Sequence, residues 1–293
     1  MTMSPIKEAD PMHFLDLKDL SSLQIDELFK LTDQLSLQGG AKPLGGKTFV
    51  LFFPESSIRT RISFEKGIQD LGGQCLLFPP EALDKREQLS DVIQYIENWA
   101  DGVIVRHPDL STIQQLSLHT SIPIINAMTA ENHPCEILAD LYTISKMKEN
   151  FTELVYTFVG HAGNISRSWM DMAKVMDLQF NHICTSGHEL GEESRNYRFY
   201  TELEAVLMDS DVVLTDSLPE ALRTKDYISN YQITLAKMKL TPKHSLLNPC
   251  PPFFRNEEVS EDAIDSEYFV GHAFKKNLIF VQQAILLYCL FHT

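Results

Sequence analysis

Eight apolar runs of strand length, separated by segments whose apolar residues recur every three or four positions, limit this chain to very few folds. The runs are TFVLFF (Thr48 to Phe53), QCLLF (Gln74 to Phe78), GVIVR (Gly102 to Arg106), IPIIN (Ile122 to Asn126), LVYTFVG (Leu154 to Gly160), FNHICT (Phe180 to Thr185), DVVLT (Asp211 to Thr215) and HSLLN (His244 to Asn248). Between them lie segments such as EQLSDVIQYIENWA and PCEILADLYTISKMK, which carry helical periodicity. Strands that are apolar on both faces and alternate with helices predict parallel sheets covered on each side, a doubly wound α/β fold.

The pattern runs twice. A first set of strands ends at Asn126, Pro134 to Asn150 reads as one long helix, and a second set begins at Leu154. We therefore expect two doubly wound parallel-sheet domains joined by interdomain helices. Their expected limits are residues 1–133, with a returning terminal helix at 274–293, and residues 134–273. Open parallel sheets bind ligands at the carboxyl ends of their strands. The segments to watch are then Pro54 to Arg61, Arg106 to Pro108, Asn126 to His133, Gly160 to Ser168, Thr215 to Pro219 and Asn248 to Arg255. His188 to Arg198 reads as an exposed loop, and Asp216 to Thr241 as a polar excursion of the kind that often forms a lid.

Charge narrows the function. A net charge of -15 argues against nucleic acid as a partner, because backbone recognition needs dense Lys and Arg. The apolar stretch Leu278 to Phe291 is interrupted by Gln282 and Gln283 and is too short to span a bilayer, so it reads as a buried helix rather than a membrane anchor. The start, MTMSPIKEADP, lacks the pattern of a secretory signal. Five scattered cysteines (Cys75, Cys135, Cys184, Cys250, Cys289) with no CxxC pair suit neither a disulfide framework nor a zinc site, and a reducing cytoplasm is expected.

Against that negative background, SSIRTRISFE (Ser56 to Glu65) stands out. It follows the first strand, where Pro54 stops the ladder, Ser57 can cap a helix and Gly72 and Gly73 can end it. A helix N-terminus with the Ser57 and Thr60 hydroxyls and the Arg59 guanidinium is a compact phosphate cradle. Arg61, two residues on, faces elsewhere and is expected in an ion pair. The bland alternative is two solvated surface arginines.

SIRTRISFE closely resembles the STRTRxSFE signature of the aspartate and ornithine carbamoyltransferases. WADGVIVRHP, ending at Pro108, looks like that family's second arginine segment, and NHPCEILADLYTI resembles its HPxQxLxDLxTI motif. The resemblance covers essentially the whole chain. It implies that Ser57, Ile58 (through its amide), Arg59, Thr60 and Arg106 bind the phosphate of carbamoyl phosphate, and that Arg106, Thr60 and His133 face the carbonyl oxygen. Glu136 stands where the family has a glutamine that contacts the carbamoyl amino group. Lys85 matches a lysine carried into a neighbouring subunit's site, which implies a homotrimer with shared active sites. Arg106, His133 and Cys250 are the catalytic candidates, and the resemblance implies neither metal nor cofactor. The GHAG segment after the fifth predicted strand lacks the GxGxxG of a dinucleotide site.

The acceptor is read from the second domain. TDSLPE places Asp216 and Ser217 where ornithine-type members carry aspartate, and a carboxylate there suits a cationic amine. HSLLNPCPPFFRNEEVS resembles the HPLP turn of the aspartate enzymes in one register and the HCLP turn of the ornithine enzymes in another, with Cys250 and Pro251 toward the acceptor and a cis bond at Pro251 or Pro252. Asn164, in GHAGNIS, matches an acceptor-binding asparagine. The resemblance thus implies transfer of a carbamoyl group to an ornithine-like amino acid or diamine, as in arginine biosynthesis. The alternatives are an aspartate-type acceptor, or a paralogue that binds without catalysis.

Overall fold

The computed structural model describes residues 12–37 and 40–291, arranged in two compact units. The first is built on Leu23–Ala130 with the stretch up to Asp16 and the chain from Asn277 onward. The second is built on Glu131–Lys276 with Leu17–Ser22.

In the first unit, helix α1 (Ser22–Leu37) precedes strands β1 (Thr48–Phe52), β2 (Gln74–Phe78), β3 (Gly102–Arg106) and β4 (Ile124–Met128), with helices α2 (Ile58–Asp70), α3 (Leu89–Ile96) and α4 (Leu110–Ser117) between them. All pairings are parallel, in the order β2-β1-β3-β4. Val50, Phe52, Val103, Val105 and Ile124 pack on one face with Ile93, Ile113 and Leu116 from the helices, while Phe49 and Leu51 are fully buried on the other. Each such side chain contributes about 1.5–3 kcal/mol. Pairing of β4 begins two residues later than the sequence pattern predicts. Pro123 has no N–H to give, and only its carbonyl joins the ladder, accepting from the Val103 amide at 2.9 Å.

The second unit contains α5 (Pro134–Met147), then β5 (Val155–Val159), α6 (Asn164–Met176), β6 (Gln179–Ile183), β7 (Tyr197–Tyr200), α7 (Leu203–Leu207), β8 (Val212–Thr215), α8 (Lys225–Tyr231), α9 (Leu235–Met238), β9 (Leu246–Pro249) and α10 (Glu261–Ile264). Its five strands are also all parallel, ordered β7-β6-β5-β8-β9. Strand β7 lies partly inside the segment expected to be a loop. It sits at the edge of the sheet and is only four residues long, YRFY, with Tyr197 buried and the exposed Arg198 interrupting its aromatics. The expected excursion after Asp216 is no loose flap either. Tyr227, Ile233 and Met238 are buried, and Ile233 bonds through both backbone groups to Glu258 and Ser260.

The chain ends in α11 (Leu278–Phe291), which packs on α2. Close approach depends on Gly67: a Cβ there would meet Gln283 Cγ and Ile279 Cγ1 at 3.3 Å each. The buried Gln283 amide donates to the Gly67 carbonyl at 2.9 Å, which explains a polar residue in an apolar helix. Among the described residues, no helix is long and apolar enough to cross a membrane.

Candidate active site

Strand order decides where each unit can hold a ligand. In the first unit the chain runs outward from β1 to β2, then returns past β1 to β3, so the connections after β1 and β3 diverge and leave a crevice at their carboxyl ends. The switch in the second unit lies between β5 and β8.

Arg106 ends β3, and Ser57 stands just before α2, in the turn that follows β1. Because β1 and β3 are paired, the two meet: Arg106 Nη1 donates to Ser57 Oγ at 2.8 Å. Ser57 occupies the N-cap position of α2 as expected, but its hydroxyl makes no capping bond. The side chain serves the guanidinium instead. Ser57 and Thr60 are buried, Arg106 is half-buried, and Arg59 and Ile58 are exposed. The Ile58 amide donates to the Ser56 carbonyl at 2.9 Å. Arg61 turns away into an i,i+4 pair with Glu65 at 2.5 Å, as the sequence predicts. The contiguous SIRT turn and the strand-end arginine are thus brought together at a helix N-terminus, an arrangement suited to an anion.

Lys85 is exposed, in a loop that is tied down one residue earlier. His107, buried beside Arg106, places Nδ1 3.0 Å from the Asp109 amide and Nε2 3.0 Å from the Asp84 carboxylate. His107 drew no role from the sequence, since nothing local marks its partner 23 residues away.

In the second unit, His133 is buried at the N-cap of α5, with Pro134 following, and its amide donates to the Ser168 hydroxyl at 2.8 Å. One turn on, Glu136 and Asp140 share a face of α5. Lys275 reaches both, at 2.7 Å to Glu136 and 2.5 Å to Asp140. The other Asp140 oxygen accepts from Asn248 at 2.9 Å. Burial pushes the Asp140 carboxyl up to about 6, with Lys275 opposing and Glu136 adding to the shift. On Lys275 burial works against the charge, but the Asp140 and Glu136 carboxylates outweigh it and hold the ammonium firmly protonated. Sequence reasoning missed Lys275. Its only local signal is a Lys-Lys pair before the last helix, which reads as surface charge.

Asp216 follows β8, at the switch. Burial pushes its carboxyl up to about 6; the Ser217 amide, at 2.8 Å, pulls it back, and the Glu136 carboxylate adds to the rise. Ser217 is therefore the residue that orients Asp216. The Cys250 amide extends the ladder by donating to the Thr215 carbonyl at 2.9 Å. This holds the buried thiol within the field of Asp216, Glu136 and Lys275, and burial raises its pKa well above the ordinary range. The peptide between Pro251 and Pro252 is cis, one of the two expected positions. Asn164 opens α6 on the β5 side of the switch and is half-buried. His161, just before it, is kept neutral by burial. Among the described residues, no cluster of three or more His, Cys, Asp or Glu side chains is arranged to hold a metal.

Comparison with known proteins matches residues 12–146 to the family described as aspartate/ornithine carbamoyltransferase, carbamoyl-P binding domain, and residues 152–289 to its Asp/Orn binding domain. Ornithine carbamoyltransferases of Methylobacillus flagellatus and Shewanella oneidensis are 29% and 30% identical over 95% and 94% of this chain, and 97% and 98% of those enzymes are covered. The crystal structure of ornithine carbamoyltransferase from Burkholderia thailandensis superposes with a TM-score of 0.88 at 26% identity, covering 95% of this chain and 98% of that one.

Proposed function

This chain belongs to the aspartate/ornithine carbamoyltransferase family, and from that premise we propose that it moves the carbamoyl group of carbamoyl phosphate to the amine of an ornithine-like amino acid or diamine. Ser57, Ile58, Arg59, Thr60 and Arg106 hold the phosphate, using the amides and partial positive charge of the α2 N-terminus. Arg106, Thr60 and His133 stabilise the carbonyl oxygen as it gains charge. The neutral acceptor amine adds to the carbonyl carbon, the bond from that carbon to the phosphate oxygen breaks, and the proton shed by the amine leaves with the phosphate. Cys250 acts in this scheme as a neutral, buried group lining the acceptor's place, because its raised pKa removes the thiolate form. Asn164 and Pro251 complete the acceptor contacts.

The observation that carries the donor half is the Arg106–Ser57 bond at the switch between β1 and β3. The acceptor is argued from Asp216. Beyond burial and Ser217, the charged group that shifts it is the like-charged Glu136. A cationic α-amino group relieves that environment, and a dicarboxylic acceptor aggravates it.

The working form is a homotrimer in which Lys85 serves a neighbouring copy. Ile58 and Ile62 on α2 and Leu76 and Phe78 on the outer strand β2 are 47–63% exposed, an apolar surface that suits a second copy of this chain. Its five free cysteines fit a reducing, cytoplasmic setting.

The test is a carbamoylation screen with carbamoyl phosphate and L-ornithine, N-acylated ornithines, putrescine, L-lysine or L-aspartate, scored as ureido product. Product with one basic amine supports the reading. Product from aspartate alone overturns the role of Asp216, and silence across the panel together with no heat of carbamoyl phosphate binding overturns the reading as a whole.

A further inference from the structure

Glu136 poses a problem of charge. It stands where the family resemblance implies an amide, 6% exposed and four residues from Asp140, a second carboxylate that is 2% exposed. A carboxylate in place of an amide adds one negative charge beside a ligand that is itself an anion, and like charges in a partly buried setting are strongly unfavourable.

The same unit supplies the remedy. Lys275 comes from the turn His272–Asn277, 139 residues along the chain, and its ammonium lies 2.7 Å from Glu136 and 2.5 Å from Asp140. Asn248 occupies the remaining Asp140 oxygen, so that carboxylate is held from two sides and cannot swing away with the lysine. The count includes Asp140. Glu136 and Asp140 bring two negative charges and Lys275 one positive charge, so the cluster carries one net negative charge, the same as with neutral residues at both 136 and 275.

We propose that Lys275 is a positioning residue that cancels the Glu136 charge and fixes its carboxylate, so that Glu136 accepts from the carbamoyl amino group as an amide oxygen does, without repelling the donor's phosphate. This rests on the carbamoyl phosphate reading above. A mere structural ion pair predicts a different pattern, in which loss of Lys275 lowers stability but leaves donor affinity in the folded fraction intact.

The experiment measures KM for carbamoyl phosphate, kcat and thermal midpoint for wild type, Lys275→Met, Glu136→Gln and the double variant Glu136→Gln/Lys275→Met. In Lys275→Met the KM should rise by roughly 10- to 100-fold with a much smaller change in kcat, because an uncompensated charge weakens donor binding. Adding Glu136→Gln to it should bring the KM back to within about threefold of wild type. An unchanged KM in folded Lys275→Met, or a double variant no better than Lys275→Met, overturns the inference. Should Lys275→Met fail to fold, the comparison is wild type against the double variant, whose clusters carry the same charge: KM values within about threefold support charge cancellation, and a tenfold rise in the double variant overturns it. Wild type that turns over while either overturning pattern appears refutes this inference alone. Wild type that neither binds nor consumes carbamoyl phosphate refutes the function reading and this inference together.

Discussion

Arg106 and Ser57, 49 residues apart, are joined by a 2.8 Å hydrogen bond from guanidinium to hydroxyl. The bond aims one arginine from the end of β3 at the first turn of α2. Adjacent strands make the bond possible, and the bond in turn restricts the long Arg106 side chain before any ligand arrives, so less entropy is lost on binding.

If Arg106 acts on the developing oxyanion, Arg106→Ala should lower turnover by roughly two to three orders of magnitude, as loss of one such donor does elsewhere. Ser57→Ala should be milder, since the guanidinium remains. Steady-state kinetics decide this, and an Arg106→Ala enzyme with near-normal turnover rules the role out.

If the sites are shared between copies, complementation makes a sharper demand. Lys85→Ala and Arg106→Ala chains should each be nearly inactive, while coexpression in equal amounts should restore roughly a quarter of wild-type activity, the fraction of sites that draw both intact residues from different copies. Activity of the mixture no greater than the mean of the two variants excludes a shared site.

If Asp216 holds the acceptor amine, it links function to pH. Its carboxyl is pushed up to about 6 by burial, so acceptor affinity should hold at neutral pH and weaken as pH falls through about 6, when the charge that attracts the amine is lost. Asp216→Asn should abolish that limb of the profile. The stability effect has the opposite sense: a carboxyl whose folded pKa exceeds its unfolded 3.8 stabilises the fold below that value and loses the contribution as pH rises through about 6. Asp216→Asn should therefore raise the thermal midpoint at pH 8, by at most about 3 kcal/mol of stability, and change it little at pH 4. A lower midpoint at pH 8 would refute the burial argument.

Cys250 is buried with a pKa well above the usual thiol range. The native protein should therefore resist iodoacetamide at this residue at pH 8, while the unfolded chain reacts readily. Peptide mapping checks it, and rapid native alkylation at Cys250 would show the thiolate to be accessible.

How much was legible in the sequence varies by element. Eight strands and the terminal helix could be read, because parallel strands buried on both faces leave apolar runs and a buried helix leaves no polar stripe. Strand β7 could not, since it is a four-residue edge strand whose short aromatic run is broken by Arg198. The start of β4 was misplaced by Pro123, which has apolar character but no amide to pair.

By itself the sequence determined the α/β architecture, the helix-starting turn from Ser57 to Thr60 and the position of Asp216 after a strand, all encoded in residues that lie next to one another or at the end of a readable strand. Only the tertiary structure decided which distant residues complete them: Arg106 on Ser57, His107 on Asp84, and Lys275 on Glu136 and Asp140. The reason is physical. Local periodicity and turn chemistry act over a few residues, whereas the partner of a buried charge is chosen by strand order and by the need to neutralise it wherever the chain returns.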